Sequence, residues 1–235
     1  MNKIHMPSDS EFIENLILQR TGVFTLLGGA SELNDWFQTG DKSKLSYFLK
    51  SNNLLESFIT QTFAEIAQEV DNLMSRISHI NNSAFISIGP GNGLFELILM
   101  KKMEFSRVLL IDIEETNDHN HGFNSKGSGY ASLKSTKEFL IRNGITEEKI
   151  VLCNPNKQEL PEFNYDLLIS ILSMGFHYPC DEYVEFIIKN VNQDGIVVID
   201  KRRSVNESGF DKLKDFFKIE GVYDYKKHEQ FFFRN

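Results

Sequence analysis

Three glycines at alternate positions, Gly89, Gly91 and Gly93, are the residues whose type and spacing most directly suggest chemistry. A strand-like apolar run, 84–88, leads into them, and a helical pattern begins directly afterwards at Leu94. Because glycine carries no Cβ, the backbone of such a turn can come close to a ligand. The free N–H groups of the following helix can then face polar or anionic ligand atoms. This order of elements predicts the opening unit of a nucleotide-binding α/β domain.

An acidic residue follows this unit at the distance that a ribose contact requires. Asp112 ends the apolar run 107–111 and lies nineteen residues after Gly93. An acid at the tip of the second strand can accept hydrogen bonds from ribose hydroxyls. A dinucleotide site has the spacing G-x-G-x-x-G, whereas the third glycine of this chain comes one position earlier. The spacing therefore argues against a NAD-dependent oxidoreductase, which stays an alternative on a related fold.

The Gly-x-Gly-x-Gly turn followed by Asp112 resembles the class I S-adenosylmethionine-dependent methyltransferases over about residues 84–235. The resemblance implies S-adenosyl-L-methionine as cofactor and an α/β fold with a doubly wound, seven-stranded, mostly parallel sheet. A C-terminal antiparallel hairpin would complete the sheet, and an N-terminal helical extension would precede it. We accordingly divide the chain into a helical extension or lid, 1–80, and a Rossmann-like methyltransferase domain, 81–235. The family usually carries an acid two residues before the first glycine, where this chain has Ser87.

The resemblance also implies which residues hold the cofactor. Ile113 would lie beside the adenine, and Asn154 ends the third strand at a position that contacts the adenine in the family. Ser170 lies near the end of the fourth strand. The predicted cofactor-binding residues are Ser87, Gly89, Gly91, Asn92, Gly93, Asp112, Ile113, Asn154 and Ser170.

Histidines near the carboxyl ends of the strands are the candidates for proton transfer. The fourth strand is predicted to run from Tyr165 through His177 to Pro179, where a helix begins. In the family, the end of this strand meets the methyl group and its acceptor. An imidazole that titrates near neutrality can take the proton of a hydroxyl. We therefore predict His177 as the general base, assisted or replaced by His121.

A polar, glycine-rich loop over 116–131 is predicted at the same end of the sheet, where ligands bind in open α/β folds. A loop of this length more often carries function than an inert connection does. His119 and Tyr130 in this loop, with Tyr178 after the fourth strand, are the predicted substrate-binding residues. His119 and His121 are spaced for metal ligation but lack an obvious third ligand, so we expect no metal.

Two short segments bear on the acceptor. Gly-Phe-His-Tyr-Pro at 175–179 and His-Gly-Phe at 121–123 resemble enzymes of polysaccharide-modifying pathways. This looser resemblance implies an O-methyltransferase with a small-molecule acceptor, a hydroxyl of a sugar or sugar-derived compound. A protein or nucleic-acid methyltransferase is one alternative. A catalytically silent S-adenosylmethionine-binding module is another, which Ser87 in place of the usual acid keeps open.

Composition limits the partners. The net charge of −8 at pH 7 disfavours general binding to phosphate backbones, so we expect no nucleic-acid partner. No apolar run approaches the ~20 residues of a membrane span, and residues 1–11 lack the apolar core of a signal peptide. We therefore expect a cytoplasmic protein without a membrane partner. Cys153 and Cys180 are expected as buried free thiols.

The basic patch at 201–203 and the N-terminal helices each allow two interpretations. Lys201, Arg202 and Arg203 end the fifth predicted strand as a basic patch, which either faces an anionic substrate group or is solvated. The apolar positions over 53–77 recur every three or four residues and predict an amphipathic helix. The N-terminal helices either cover the active site or mediate contact in a homodimer.

Overall fold

The computed structural model describes residues 4–77, 80, 83–114, 123, 129, 131–203, 205 and 208–235. Within these ranges, helices fill the N-terminal third of the chain. They are α1 (Ser10–Gln19), α2 (Thr21–Leu26), α3 (Ala30–Thr39), α4 (Ser43–Ser51) and α5 (Leu55–Met74).

Strands and helices alternate through the rest of the described chain. The strands are β1 (Ser83–Ile88), β2 (Phe105–Ile111), β3 (Ile150–Cys153), β4 (Tyr165–Ser170), β5 (Ser173–Tyr178), β6 (Val191–Arg202), β7 (Lys218–Asp224) and β8 (His228–Arg234). The helices are α6 (Leu94–Lys102), α7 (Leu133–Arg142), α8 (Val184–Asn190) and α9 (Ser208–Phe216), with single 3-10 turns at Glu147–Lys149 and Asp181–Tyr183.

Seven of these strands form one sheet in the order β3-β2-β1-β4-β6-β8-β7. The first five in this order run parallel, and β8 is antiparallel to both β6 and β7. The prediction of a doubly wound, mostly parallel sheet with a C-terminal antiparallel hairpin is confirmed. The strand order reverses between β1 and β4, which is where a ligand crevice forms in sheets of this kind.

The central strands β1 and β4 are mostly apolar because helices cover both faces of the sheet. Successive side chains of a strand point to opposite faces, so neighbouring residues enter different cores. Phe85 and Leu167 belong to one hydrophobic cluster, whereas Ile86 and Leu168 belong to the other. All four side chains are fully buried. The two cores fix the carboxyl ends of β1 and β4 at one edge of the sheet.

The predicted continuous fourth strand and the helix start at Pro179 are wrong. The strand breaks after Ser170 and resumes as β5, because Leu172 adopts a positive φ of 50°. The Leu172 amide donates a hydrogen bond to Asp200 Oδ2 over 2.9 Å, which holds the chain in this bend. The α-helix starts only at Val184, after the 3-10 turn.

The N-terminal helices share a core with the sheet. Leu16 and Ile17 of α1 are fully buried in the same hydrophobic cluster as Phe85 of β1. The ring centroids of Phe12 and Phe139 lie 5.0 Å apart, which joins α1 to α7. No helix within the described ranges is long and apolar enough to cross a membrane.

Because of this shared core, we expect Leu16→Ala to lower the free energy of unfolding by about 2–5 kcal/mol. Urea unfolding should be followed by the fluorescence of Trp36, the only tryptophan, and by far-UV circular dichroism. Both signals should change in one transition, since α3 carries Trp36 and the dichroism reports every helix. Tyr47→Ala, at a side chain 72% exposed, is the control and should change stability by less than about 0.5 kcal/mol. Two separate transitions would contradict a common core.

Candidate functional site

The glycine turn between β1 and α6 needs glycine at each of its three positions. Gly89, Gly91 and Gly93 have φ values of 74°, 54° and 76°, a region that other residues rarely adopt. A Cβ on Gly89 would overlap the Ser173 hydroxyl, and one on Gly93 would lie 2.7 Å from Thr136 Cγ2. The turn therefore brings its backbone close to neighbouring groups, as the sequence predicts.

A cavity of about 1010 Å³ opens above the carboxyl ends of the strands. This volume is at the upper end of the range of about 300–1,000 Å³ for small-molecule sites. It has room for two small ligands side by side. The predicted site residues that line it are Gly89, Gly91, Asp112, Ile113, His177 and Tyr178.

Three other predicted cofactor residues direct their side chains to the backbone. Asn92 donates to the Phe12 carbonyl over 2.8 Å and so ties the glycine turn to α1. Asn154 donates to the carbonyl of Ile113 over 3.2 Å and also to Glu114 Oε2 over 2.7 Å. The Ser170 hydroxyl donates to the Ile88 carbonyl over 3.1 Å. In this structure they hold the walls of the cavity in place.

A buried acid of α6, Glu96, pairs with Ser87. The buried Ser87 hydroxyl donates to Glu96 Oε1 over 2.7 Å, and the Glu96 carboxylate lines the cavity. Glu96 is only 3% exposed, and its second oxygen, Oε2, has no hydrogen-bond partner. Burial raises the pKa of Glu96 to about 7, against the lowering effect of the Ser87 hydrogen bond. Sequence reasoning missed Glu96, although it lies only three residues beyond Gly93.

A buried guanidinium from α1 faces the same part of the cavity. Arg20 is 8% exposed, lines the cavity and pairs through Nη2 with Glu69 Oε2 over 2.7 Å. Its Nε atom is buried without a hydrogen-bond partner. Arg20 also lowers the pKa of Glu96 by attraction, as a minor contribution. Two residues that line the cavity, Glu96 and Arg20, thus each carry a buried polar atom without a hydrogen-bond partner among the described residues.

Asp112 lies at the tip of β2, as predicted, and lines the opposite side of the glycine turn. Its Oδ1 atom accepts a hydrogen bond from the Glu114 amide over 2.9 Å. Burial in the cavity wall raises its pKa to about 6, with a smaller contribution from the negative charge of Glu114. Hydrogen bonds from the backbone of Glu114, Gly91 and Ile113 act against this rise of the pKa.

The predicted catalytic side of the cavity is formed by β5. His177 lines the cavity, and its ring meets Phe176 edge-on at 4.8 Å between centroids. The Tyr178 hydroxyl is 3.1 Å from Ser173 Oγ, and burial holds its pKa well above the ordinary value. Tyr178 is therefore a neutral hydrogen-bonding group at physiological pH. Three further residues with predicted roles lie outside the part of the chain that the structure describes: His119, His121 and Tyr130.

A second buried acid and a histidine, both missed by sequence reasoning, lie at the far end of the cavity. Asp200 of β6 is 1% exposed and accepts hydrogen bonds from the Leu172 amide and from Gln230 Nε2, each over 2.9 Å. His228 Nε2 lies 3.6 Å from Asp200 Oδ2, and its ring stacks on Tyr225. Burial raises the pKa of Asp200 to about 7 and lowers that of His228 to about 4. His228 is therefore a neutral imidazole at neutral pH.

The raised pKa of Glu96 predicts a pH-dependent stability. The folded protein holds this proton more tightly than the unfolded chain, whose carboxyl titrates near 4.5. Ionising Glu96 therefore lowers the free energy of unfolding as the pH rises from about 4.5 to about 7. The variant Glu96→Gln cannot ionise at this position, so it does not lose this stability as the pH rises. Relative to wild type, we expect the variant to gain about 1–3 kcal/mol between pH 5 and pH 8.

Urea titrations at both pH values measure this difference. Glu104→Gln, at an exposed position just after α6, is the matched control and should show no such gain. A stability difference between Glu96→Gln and wild type that stays constant with pH would contradict the burial of an ionisable Glu96.

Three solved structures place this architecture among known folds. The ribosomal protein L11 methylase from Lactobacillus delbrueckii subsp. bulgaricus is similar with a TM-score of 0.50 at 16% identity, over 75% of this chain and 78% of that chain. The N-methyltransferase NodS from Bradyrhizobium japonicum WM9, in complex with S-adenosyl-l-homocysteine, is similar with a TM-score of 0.51 at 14% identity. The similarity covers 73% of this chain and 86% of that chain. StiE O-MT is similar with a TM-score of 0.52 at 12% identity, over 72% of this chain and 73% of that chain.

At these identities the similarity concerns the fold. No protein-family model matches the sequence, and no curated protein matches it either. The similarity in fold covers about three quarters of this chain. The chain has the fold of the class I S-adenosylmethionine-dependent methyltransferases.

Proposed function

We propose that this protein transfers a methyl group from S-adenosylmethionine to a small-molecule acceptor. The observation that carries the proposal is one cavity that the glycine turn, Asp112 and His177 line together. The NodS structure, of similar fold, holds S-adenosyl-l-homocysteine, the demethylated form of this cofactor. StiE O-MT and NodS are named as O- and N-methyltransferases, which supports methyl transfer in general.

The residues present fit the cofactor. A Cβ on Gly89 would overlap the side chain of Ser173, and one on Gly91 that of Gln19, so only glycine lets the backbone pack this closely against the cavity lining. The Asp112 carboxylate would accept hydrogen bonds from the ribose hydroxyls. Ile113 offers an apolar side chain to the adenine. In this proposal the carboxylate of Glu96 takes over the role of the acid that the family has at position 87.

S-adenosylmethionine, when bound, supplies a methyl group that its sulfonium already activates. The tasks of the chain are then to align the acceptor oxygen with that methyl group and to remove a proton. His177 would accept the proton of the acceptor hydroxyl, and the neutral Tyr178 would orient the acceptor through its hydroxyl group. His121 stays proposed as a second base, with His119 and Tyr130 as substrate contacts.

A hydroxyl of a sugar or sugar-derived compound is the acceptor that we propose. The net charge of −8 supports a small molecule over a nucleic acid. A silent S-adenosylmethionine-binding module is the alternative from a different class. The retained glycines, Asp112 and the buried carboxylate of Glu96 support a working site.

Cofactor binding is tested by calorimetry on the full chain with S-adenosylmethionine and, separately, NADH. We expect micromolar binding of S-adenosylmethionine and at least tenfold weaker binding by Asp112→Ala, because a hydrogen bond to a charged group contributes about 1.5–3 kcal/mol. Glu104→Gln should bind like wild type. If folded protein binds no S-adenosylmethionine, the proposed function fails, and binding of NADH in its place would favour the oxidoreductase.

The role of Glu96 is tested with a shortened ligand. 5′-Methylthioadenosine has the adenosine and sulfur of the cofactor but lacks its amino-acid end. We expect Glu96→Gln to weaken binding of S-adenosylmethionine about tenfold or more and to leave binding of 5′-methylthioadenosine unchanged, since only the former carries an ammonium group. An equal loss for both ligands would assign Glu96 a purely structural role.

A further inference from the structure

One wall of the cavity is basic although the chain as a whole is acidic. Arg202 at the end of β6 and Lys226, Lys227 and His228 at the β7–β8 turn line this wall. The net charge of the chain is −8, so this cluster of basic side chains is opposite in sign to the charge of the chain as a whole. We call these four residues the basic wall.

Arg202 is held in a fixed position without a carboxylate partner among the described residues. Its Nε atom donates to the Phe176 carbonyl over 2.9 Å, and its guanidinium carbon lies 4.4 Å from the centroid of the Phe176 ring. The side chain is half-buried, and burial alone lowers its pKa. By contrast, Arg20 pairs with Glu69 and Arg203 with Asp224. The remaining guanidinium N–H groups of Arg202 are therefore available to a ligand in the cavity.

The carboxylates that line the cavity lie on other elements, whereas Asp200 of β6, 3.6 Å from His228 Nε2, is not among the lining residues. The carboxylates that line its described part are Glu65 and Glu69 of α5, Glu96 of α6 and Asp112 after β2. Strand β6 is three strands away from β2 in the sheet, or about 14 Å at the usual strand spacing. A cofactor held at Asp112 and Glu96 would therefore leave the basic wall to a second molecule.

His177 on β5 lies between the acidic residues of the cavity and the basic wall. Strand β5 follows β4 and packs against the end of β6, where Arg202 contacts Phe176, the residue before His177. An acceptor whose hydroxyl meets His177 would extend from there to Arg202. The distance between the reacting oxygen and a group on the basic wall is thus within the span of one small molecule.

We propose that the acceptor carries an anionic group, a carboxylate or a phosphate, that binds to Arg202 with help from Lys226 and Lys227. The planar guanidinium offers parallel N–H donors that match the oxygen spacing of either group. The two exposed lysines add charge at the entrance, and the neutral His228 adds a hydrogen-bonding group. A sugar acid or a sugar phosphate would combine this group with a hydroxyl. The identity of the acceptor rests on the proposed function, whereas anion binding can be measured without it.

Calorimetry with simple anions tests the basic wall. Inorganic phosphate and malonate are titrated into the full chain, without S-adenosylhomocysteine and then with a saturating concentration of it, in chloride buffer at constant ionic strength. We expect one site per chain for at least one of these anions, and at least tenfold weaker binding by Arg202→Gln. Arg202→Lys should recover part of this loss, and the double variant Lys226→Gln/Lys227→Gln should weaken binding about threefold to tenfold. Arg142→Gln, at an exposed arginine of α7, is the matched control and should bind like wild type.

The possible results separate the two proposals. No saturable binding of either anion by wild type, or equal binding by wild type and Arg202→Gln, would overturn the basic wall as an anion site. Loss of S-adenosylhomocysteine binding by wild type would instead overturn the proposed function. Circular dichroism and thermal unfolding check that Arg202→Gln is folded, and Arg202→Lys provides the comparison if it is not. Preference for phosphate or for malonate tells which anionic group the acceptor carries.

Discussion

The burial of negative charge at one edge of the sheet is the constraint on which the rest of this structure depends. Glu96, Asp112 and Asp200 each have a raised pKa, and burial is the largest cause in all three. A buried carboxylate that is not fully paired costs free energy, which the two hydrophobic cores must offset. Such a concentration of destabilising groups in a cavity is typical of a binding or catalytic site. The fold tolerates these groups where a ligand can complete their hydrogen bonds.

The sheet determines where these buried groups lie around the cavity. Buried, mostly apolar strands hold the glycine turn, β5 and the start of β8 at the same edge, and the order reversal between β1 and β4 opens the crevice. The bend at Leu172 then directs β5 over the cavity, because the backbone amide of Leu172 binds Asp200 Oδ2. One buried carboxylate thereby fixes the path of the segment that carries His177. Cofactor side and acceptor side are thus coupled through backbone hydrogen bonds.

Local pattern was sufficient to predict the glycine turn and the position of Asp112, because each depends on residues that are close in sequence. The seven-stranded sheet was expected from the resemblance to class I methyltransferases. The pairing of Ser87 with Glu96 joins a strand to the helix after it, and no periodicity reports such a contact. Arg20 reaches the cavity only because α1 packs on the glycine turn, a tertiary arrangement. The break after Ser170 depends on Asp200, thirty residues later in the chain. Asn92, Asn154 and Ser170 matched the expected positions, but their side chains bind the backbone.

The hydrogen bond from Asn92 to the Phe12 carbonyl has a consequence for how this protein can be divided. It connects the glycine turn to the helix that ends at Gln19 and precedes Arg20. A fragment that begins at residue 81 would keep every strand and all three glycines, yet it would leave an amide without its acceptor and lose the buried guanidinium. The N-terminal segment is in this sense a component of the pocket. Homologues shortened at this end would need another side chain to fill the space above the turn.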